Sequence, residues 1–234
     1  MFKKIFVLIL FLNCFSSIAY SIEKTYRYSY ALTGINLREN KNLNSKIVSN
    51  IAYGEKFDLI ENTKDYMVID NIKGNWIKVN YKNKIGYVFS GYTSIFAPPS
   101  KSKFIGSMKR YSLKEYNEKY LLSKGRLESQ NENDYFFKTI FTIPNASVLD
   151  GFLLYRLIAI YPKIGLINLP ENKINYKLEN KAIEVMIENK KDKEGFLEYV
   201  KVELLYYESS GKETFIVERC NKNDIRLIYI NELP

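Results

Sequence analysis

The chain holds 234 residues, 46% of them hydrophobic and 15% aromatic, with a net charge of +9. That apolar share suffices for one or two packed domains and excludes a chain disordered throughout. The basic residues are dispersed, so no nucleic-acid-binding arm is expected, while the positive balance favours anionic partners such as wall polymers or lipid headgroups.

Residues 1–21 have the form of a secretory leader. Lys3 and Lys4 precede the unbroken apolar run 5–12, and small residues follow at Ser17, Ala19 and Ser21. Cleavage after Ala19 or after Ser21 satisfies the small-x-small rule. The run is shorter than the ~20 residues that cross a bilayer. The expected location is therefore outside the cytoplasm, in the periplasm or at the cell envelope or surface. Cys14 follows the apolar run and would carry a lipid if it began a lipoprotein, but Asn13 stands where such signals usually have Gly, Ala or Ser. Two readings follow: Cys14 is discarded with the leader, or it attaches the chain to a membrane. In the first, Cys220 remains alone and no internal disulfide can form. Val217 and Ile225 around it suggest a half-buried thiol at a strand end or turn.

Residues 22–30 (IEKTYRYSY) read as a polar and aromatic lead-in. From 31 to 96 short apolar runs alternate with turn residues, the pattern of a small all-β module. Ile35, Leu37 and the returning Ile47 are expected to line one core. Tyr53-Gly54-Glu55 turns the chain into the alternating pair Phe57 and Leu59. Val68 and Ile69 precede Lys73-Gly74-Asn75, which reads as a tight turn. Trp76 and Lys78 then share one strand face, and Ile77 and Val79 the other. Lys82-Asn83-Lys84 turns again, Gly86-Tyr87-Val88 forms a strand, and Gly91-Tyr92 closes. Short strands so joined make a small, partly open barrel.

Residues 97–103 (APPSKSK) carry linker chemistry, and a second domain is expected over 104–234. Its first element is a helix at 112–124, with Ser112 and Glu115 as a capping box and Gly125 as its stop. Residues 127–133 are polar and loop-like, and 134–143 read as a strand stopped by Pro144. A second helix, capped by Ser147 and Asp150, spans 148–161. It is apolar on most of its surface, hence buried, and Pro162 is expected to end it. Ile183, Val185 and Ile187 share a strand face opposite Glu184 and Glu188. Residues 196–207, 213–219 and 225–230 complete about four antiparallel strands, turned at 209–212 and 221–224.

The pieces Ile35-Asn36-Leu37-Arg38-Glu39, Ser45-Lys46-Ile47-Val48, Gly54-Glu55-Lys56-Phe57, Asn75-Trp76-Ile77-Lys78-Val79, Gly86-Tyr87-Val88 and Gly91-Tyr92 follow one another in order and spacing that resemble a bacterial SH3 (SH3b) domain. Two departures concern loop shape: Asn44 replaces a common Pro or Ser, and the stretch 61–75 is long. The resemblance covers the first module and implies an SH3-like small β-barrel there; with the helices and strands read above for 104–234, the expected protein is mainly β, the barrel followed by an α+β domain of antiparallel sheet packed on one or two helices. It also implies a binding module carried by exported or wall-associated proteins, some of which bind peptidoglycan peptides. Its groove would use exposed aromatics near the barrel mouth: Tyr66, Tyr81, Tyr87, Phe89 and Tyr92, with Trp76 as a further member. Aromatics with one polar end suit such surfaces. For Trp76, Tyr87, Phe89 and Tyr92 the alternative is a place in the core.

The chain contains no His. Cys-His peptidases, zinc amidases with His ligands and Ser-His-Asp hydrolases all need an imidazole and are excluded on this sequence. A carboxylate pair could cleave a glycoside without one, but Glu184, Glu188, Glu198 and Glu203 alternate with apolar residues, as on a solvated sheet face. Ser209-Ser210-Gly211-Lys212 reads as a turn, not a Ser-Lys dyad. No phosphate loop, dinucleotide fingerprint or calcium loop occurs, so no cofactor or metal is expected. The expected function is non-enzymatic binding, outside the cytoplasm, of cell-wall peptide or an envelope protein. A surface lipoprotein and a wall-hydrolase accessory or carboxylate glycosidase are the alternatives.

Overall fold

The computed structural model describes residues 25–99, 125–133, 135–165 and 167–234. The leader with Cys14, the expected helix at 112–124 and linker residues 100–103 lie outside the described residues. The protein is mainly β: an SH3-like curled sheet is followed by an α+β half with a second sheet, each of seven strands.

The first sheet comprises β1 (Tyr26–Ser29), β2 (Ile35–Arg38), β3 (Ile47–Ile51), β4 (Lys56–Ile69), β5 (Ile72–Tyr81), β6 (Lys84–Phe89) and β7 (Thr93–Ser94), in the order β3-β2-β6-β5-β4-β1-β7. Ile35, Leu37, Ile51, Phe57, Ile77, Val79, Tyr81 and Val88 fill its core. Alternation on β5 puts Ile77 and Val79 inward and Lys78 outward, as the sequence pattern predicts.

Four details depart from the sequence reading. The lead-in is a strand: β1 pairs with both β4 and β7. The tight turn is Asp70-Asn71, whose φ values of 52° and 61° are both positive, as two-residue hairpins between right-twisted strands require. Lys73-Gly74-Asn75 lies within β5, and Gly74 is needed there for space. A Cβ would stand 2.7 Å from Phe89 Cε2 and 2.8 Å from the Gly91 nitrogen. Finally, Ile47 faces solvent and Val48 packs on the core. The register shifts between Leu37 and Arg38, and a one-residue shift exchanges the two faces of a strand.

The second sheet is antiparallel throughout, in the order β10-β11-β12-β13-β14-β9-β8. Its strands are β8 (Arg126–Asn133), β9 (Phe136–Ile143), β10 (Lys173–Leu178), β11 (Ile183–Lys191), β12 (Leu197–Tyr206), β13 (Lys212–Arg219) and β14 (Ile225–Glu232). The expected loop at 127–133 is thus the strand β8, and β10 is a further addition. β8 is polar, and β10 alternates polar and apolar residues with most of its side chains exposed, as on an edge strand. Cys220 sits at the β13–β14 turn, half-buried as expected.

Helix α1 (Val148–Tyr155) lies across the inner face with its capping box formed: Ser147 Oγ accepts from the Asp150 amide, and the Asp150 carboxylate accepts from the Ser147 amide. Gly151 lets it approach the sheet, since a Cβ would come within 2.8 Å of Val217, Ile225 and Leu227. Pro162 does not stop the helix. The chain opens into a π-helical turn over Arg156–Ile160 and continues as α2 (Tyr161–Ile164). The wider turn absorbs the hydrogen bond that proline cannot donate, and the chain leaves the helix at Gly165, φ 86°.

The two halves pack on each other. Ile72 and Phe96 join the core formed by Phe152, Leu154, Val202, Phe215 and their neighbours, and Tyr30 packs with Leu153 and Leu157. Polar contacts cross as well. Arg27 donates to Asp150 at 3.1 Å, the Ile95 amide donates to Asp150 at 3.2 Å, and Asn71 donates to the Leu169 carbonyl at 2.8 Å.

Candidate ligand-binding surface

Strands β5 and β6 pair without interruption, which puts Trp76–Phe89, Lys78–Tyr87 and Asn80–Ile85 on the barrel face opposite its core. One end of this face is closed. Trp76 and Phe89 are each 4% exposed. The Phe89 ring lies against Gly74 and Gly91 and meets Tyr92 edge-on, centroids 5.5 Å apart. Tyr81 points the other way, into the barrel core. Trp76, Tyr81 and Phe89, expected among the exposed aromatics, are therefore interior side chains.

Tyr66 and Tyr92 serve the junction between the halves. Tyr66 stays half-exposed but packs edge-on against Phe196 at 5.3 Å, with the Lys73 ammonium 4.9 Å and 4.7 Å from the two ring centroids. Lys73 also donates to the Glu194 carbonyl. The Tyr92 hydroxyl donates to Asp70 beside the partly buried Arg156; burial and then that hydrogen bond push the hydroxyl's pKa far up. Burial draws the Arg156 guanidinium down, opposed by the fields of Tyr92 and Asp70.

Tyr87 alone of the six stands on the open part of the face. Its cross-strand neighbours are Arg38 on β2 and Lys78 on β5. Beyond them Ile47 lies opposite Arg38 and Glu61 opposite Lys78. A row thus runs across five strands: Ile47, Arg38, Tyr87, Lys78, Glu61. Arg38 Nη1 donates to the Ser45 carbonyl at 2.8 Å, which holds the guanidinium over β2. Lys41 pairs with Asp65 at 2.6 Å and sits 6.0 Å from the Tyr87 centroid. Among the described residues, Lys78 forms no ion pair. Ile85, two residues before Tyr87 on the same strand face, is 58% exposed, and Ile47, beyond Arg38, is 49% exposed, so the patch is apolar and aromatic with a charged rim, the composition of interaction surfaces. Lys78 and Ile85 were legible from their phase against Ile77, Val79 and Val88. Arg38 and Ile47 were not, because the register shift on β2–β3 brings them here.

The second half offers no comparable surface among its expected carboxylates. Glu203 is buried rather than solvated, held between Lys201 at 2.9 Å and Lys212 at 3.1 Å. Glu184 accepts from Asn175 and Tyr207 at 2.7 Å and 3.0 Å. Glu188 lies across from Lys201 in register, and Glu198 lies 3.9 Å from Arg219. Lys212 is engaged with Glu203, and Ser209 stays in its turn. One carboxylate escaped the sequence reading. Glu213, on the inner sheet face, accepts from Tyr206 at 2.6 Å, Tyr229 at 2.8 Å and Lys163. Burial opposes its ionisation, but the Lys163 charge and the three hydrogen bonds outweigh that and hold its carboxyl below the usual range. With three donors it acts as a tie between α2 and the sheet.

A small barrel with a charged, aromatic outer face, set against a second domain, is the form of a binding module. Compared with known families, residues 33–94 match the bacterial SH3 domain, and this part of the chain is one. The match points to a cell-wall or protein binding module. No curated protein and no solved structure matches the chain.

Proposed function

We propose that this is an exported, non-enzymatic protein of the cell envelope whose SH3 domain binds a wall peptide or an envelope protein on the Tyr87 surface. The second half is its rigid base. The observation that carries this reading is the sorting of the six aromatics: Trp76, Tyr81 and Phe89 are buried, Tyr66 and Tyr92 are tied into the junction, and Tyr87 alone remains part-exposed on the open barrel face, between Arg38 and Lys78 in register. The leader motif at 1–21 and the absence of imidazole support the envelope location and the binding role.

Co-sedimentation with purified peptidoglycan at moderate salt tests it. Wild-type protein is expected to sediment, and Tyr87→Ala to lose affinity about tenfold, the scale of an aromatic anchor. Thermal unfolding of the variant should match wild type, because the ring is not part of the core. Wild-type protein left wholly in the supernatant would remove the wall as ligand.

A further inference from the structure

We infer that the Tyr87 surface selects a peptide in the polyproline-II conformation bearing two carboxylates three residues apart. This rests on the reading of that surface as the ligand site and adds its chemistry. Arg38 and Lys78 flank Tyr87 on either side, one strand away each. Strands lie about 4.8 Å apart, so the two cations are offset by roughly 10 Å. A polyproline-II chain has three residues per turn and rises about 3.1 Å per residue, so carboxylates at positions i and i+3 point the same way and span nearly the same distance.

The charge inventory favours an anion. Lys78 is half-buried and forms no ion pair among the described residues, and Glu61, the acid nearest in register, forms none with it. Arg38 gives one nitrogen to the Ser45 carbonyl, which leaves the rest of its donor fork available. Asp65, the other nearby acid, is neutralised by Lys41. A carboxylate can therefore reach both cations without displacing an existing partner, and the net charge of +9 steers anions toward the protein. The exposed Ile85 on the same strand face as the ring and Ile47 beyond Arg38 suit apolar residues between and beside the acids, which a peptide supplies and a phosphate polymer does not.

Isothermal titration of the purified protein with acetylated Glu-Val-Ala-Glu-amide and its Gln-Val-Ala-Gln counterpart tests the inference. The diacid is expected to bind about tenfold tighter than the diamide at low salt, the scale of one to two charge-assisted hydrogen bonds, and to weaken as salt rises. Lys78→Met should abolish the preference while sparing the diamide, and Lys78→Arg should restore it. Tyr87→Ala should weaken both peptides. Equal, Tyr87-dependent binding of the two peptides overturns charge selection and leaves the surface standing. Binding of a poly(glycerol phosphate) in place of the diacid, lost in Lys78→Met, overturns the peptide. Binding of the diacid that ignores both Tyr87→Ala and Lys78→Met overturns the site itself.

Discussion

Asp150 is the residue on which three segments converge. It caps its own helix through Ser147, receives Arg27 from β1, and receives the Ile95 amide just after β7. Its side chain is 4% exposed and that of Arg27 is 19%. In Asp150→Ala the helix loses half of its capping box, a loss of about 1 kcal/mol. The Ile95 amide is left without an acceptor and Arg27 without its counterion, although Arg27 keeps Thr93; together these cost about 2 kcal/mol more. A total near 3 kcal/mol lowers the melting temperature of a chain this size by roughly 6–12 °C. Trp76 is the single tryptophan and is buried in the SH3 half, whereas far-ultraviolet dichroism reports both sheets. Because the halves share Ile72 and Phe96 in one core, the two signals are expected to coincide in urea and to shift together in the variant. A Trp76 transition that separates from the dichroism and ignores Asp150→Ala would refute the coupling.

Two further outcomes follow from packing and charge. Gly74→Ala should cost about 2 kcal/mol, as overpacking does, because the new methyl meets the Phe89 ring and the Gly91 backbone; a near-neutral urea midpoint would show that strand and ring can separate. Glu213 is held ionised below the ordinary carboxylate range, so its contribution is present above the unfolded pKa of about 4.3 and is lost as pH falls through the lower folded value. Glu213→Gln should therefore be less stable than wild type at pH 7, with the gap narrowing as pH falls below about 4.3. A gap that does not narrow at all below that pH would assign the loss to packing instead of charge.

What could be read in the linear chain was whatever depends on local periodicity and turn chemistry. The capping box at Ser147–Asp150, the inward Ile77 and Val79, the Lys82-Asn83 turn and the buried helix are all short-range consequences of neighbouring residues. So is the order of glycines, aromatics and apolar pairs that resembles the SH3 family. Tertiary structure decided the rest. The edge strand β8 carries little apolar signal, because a strand with one free edge is stabilised by pairing and not by a buried stripe; the alternating Ile174, Tyr176 and Leu178 of β10 are by contrast a local strand signal. Tyr66, Trp76, Phe89 and Tyr92 could not be told from surface aromatics, since Phe196 against Tyr66, Gly74 against Phe89, Asp70 against Tyr92 and the shared core come from other parts of the chain. The surface around Tyr87 exists because a register shift of one residue turns Ile47 outward beside Arg38. A side chain's face is set by how strands pair, and pairing is a long-range choice that no local stretch of sequence contains.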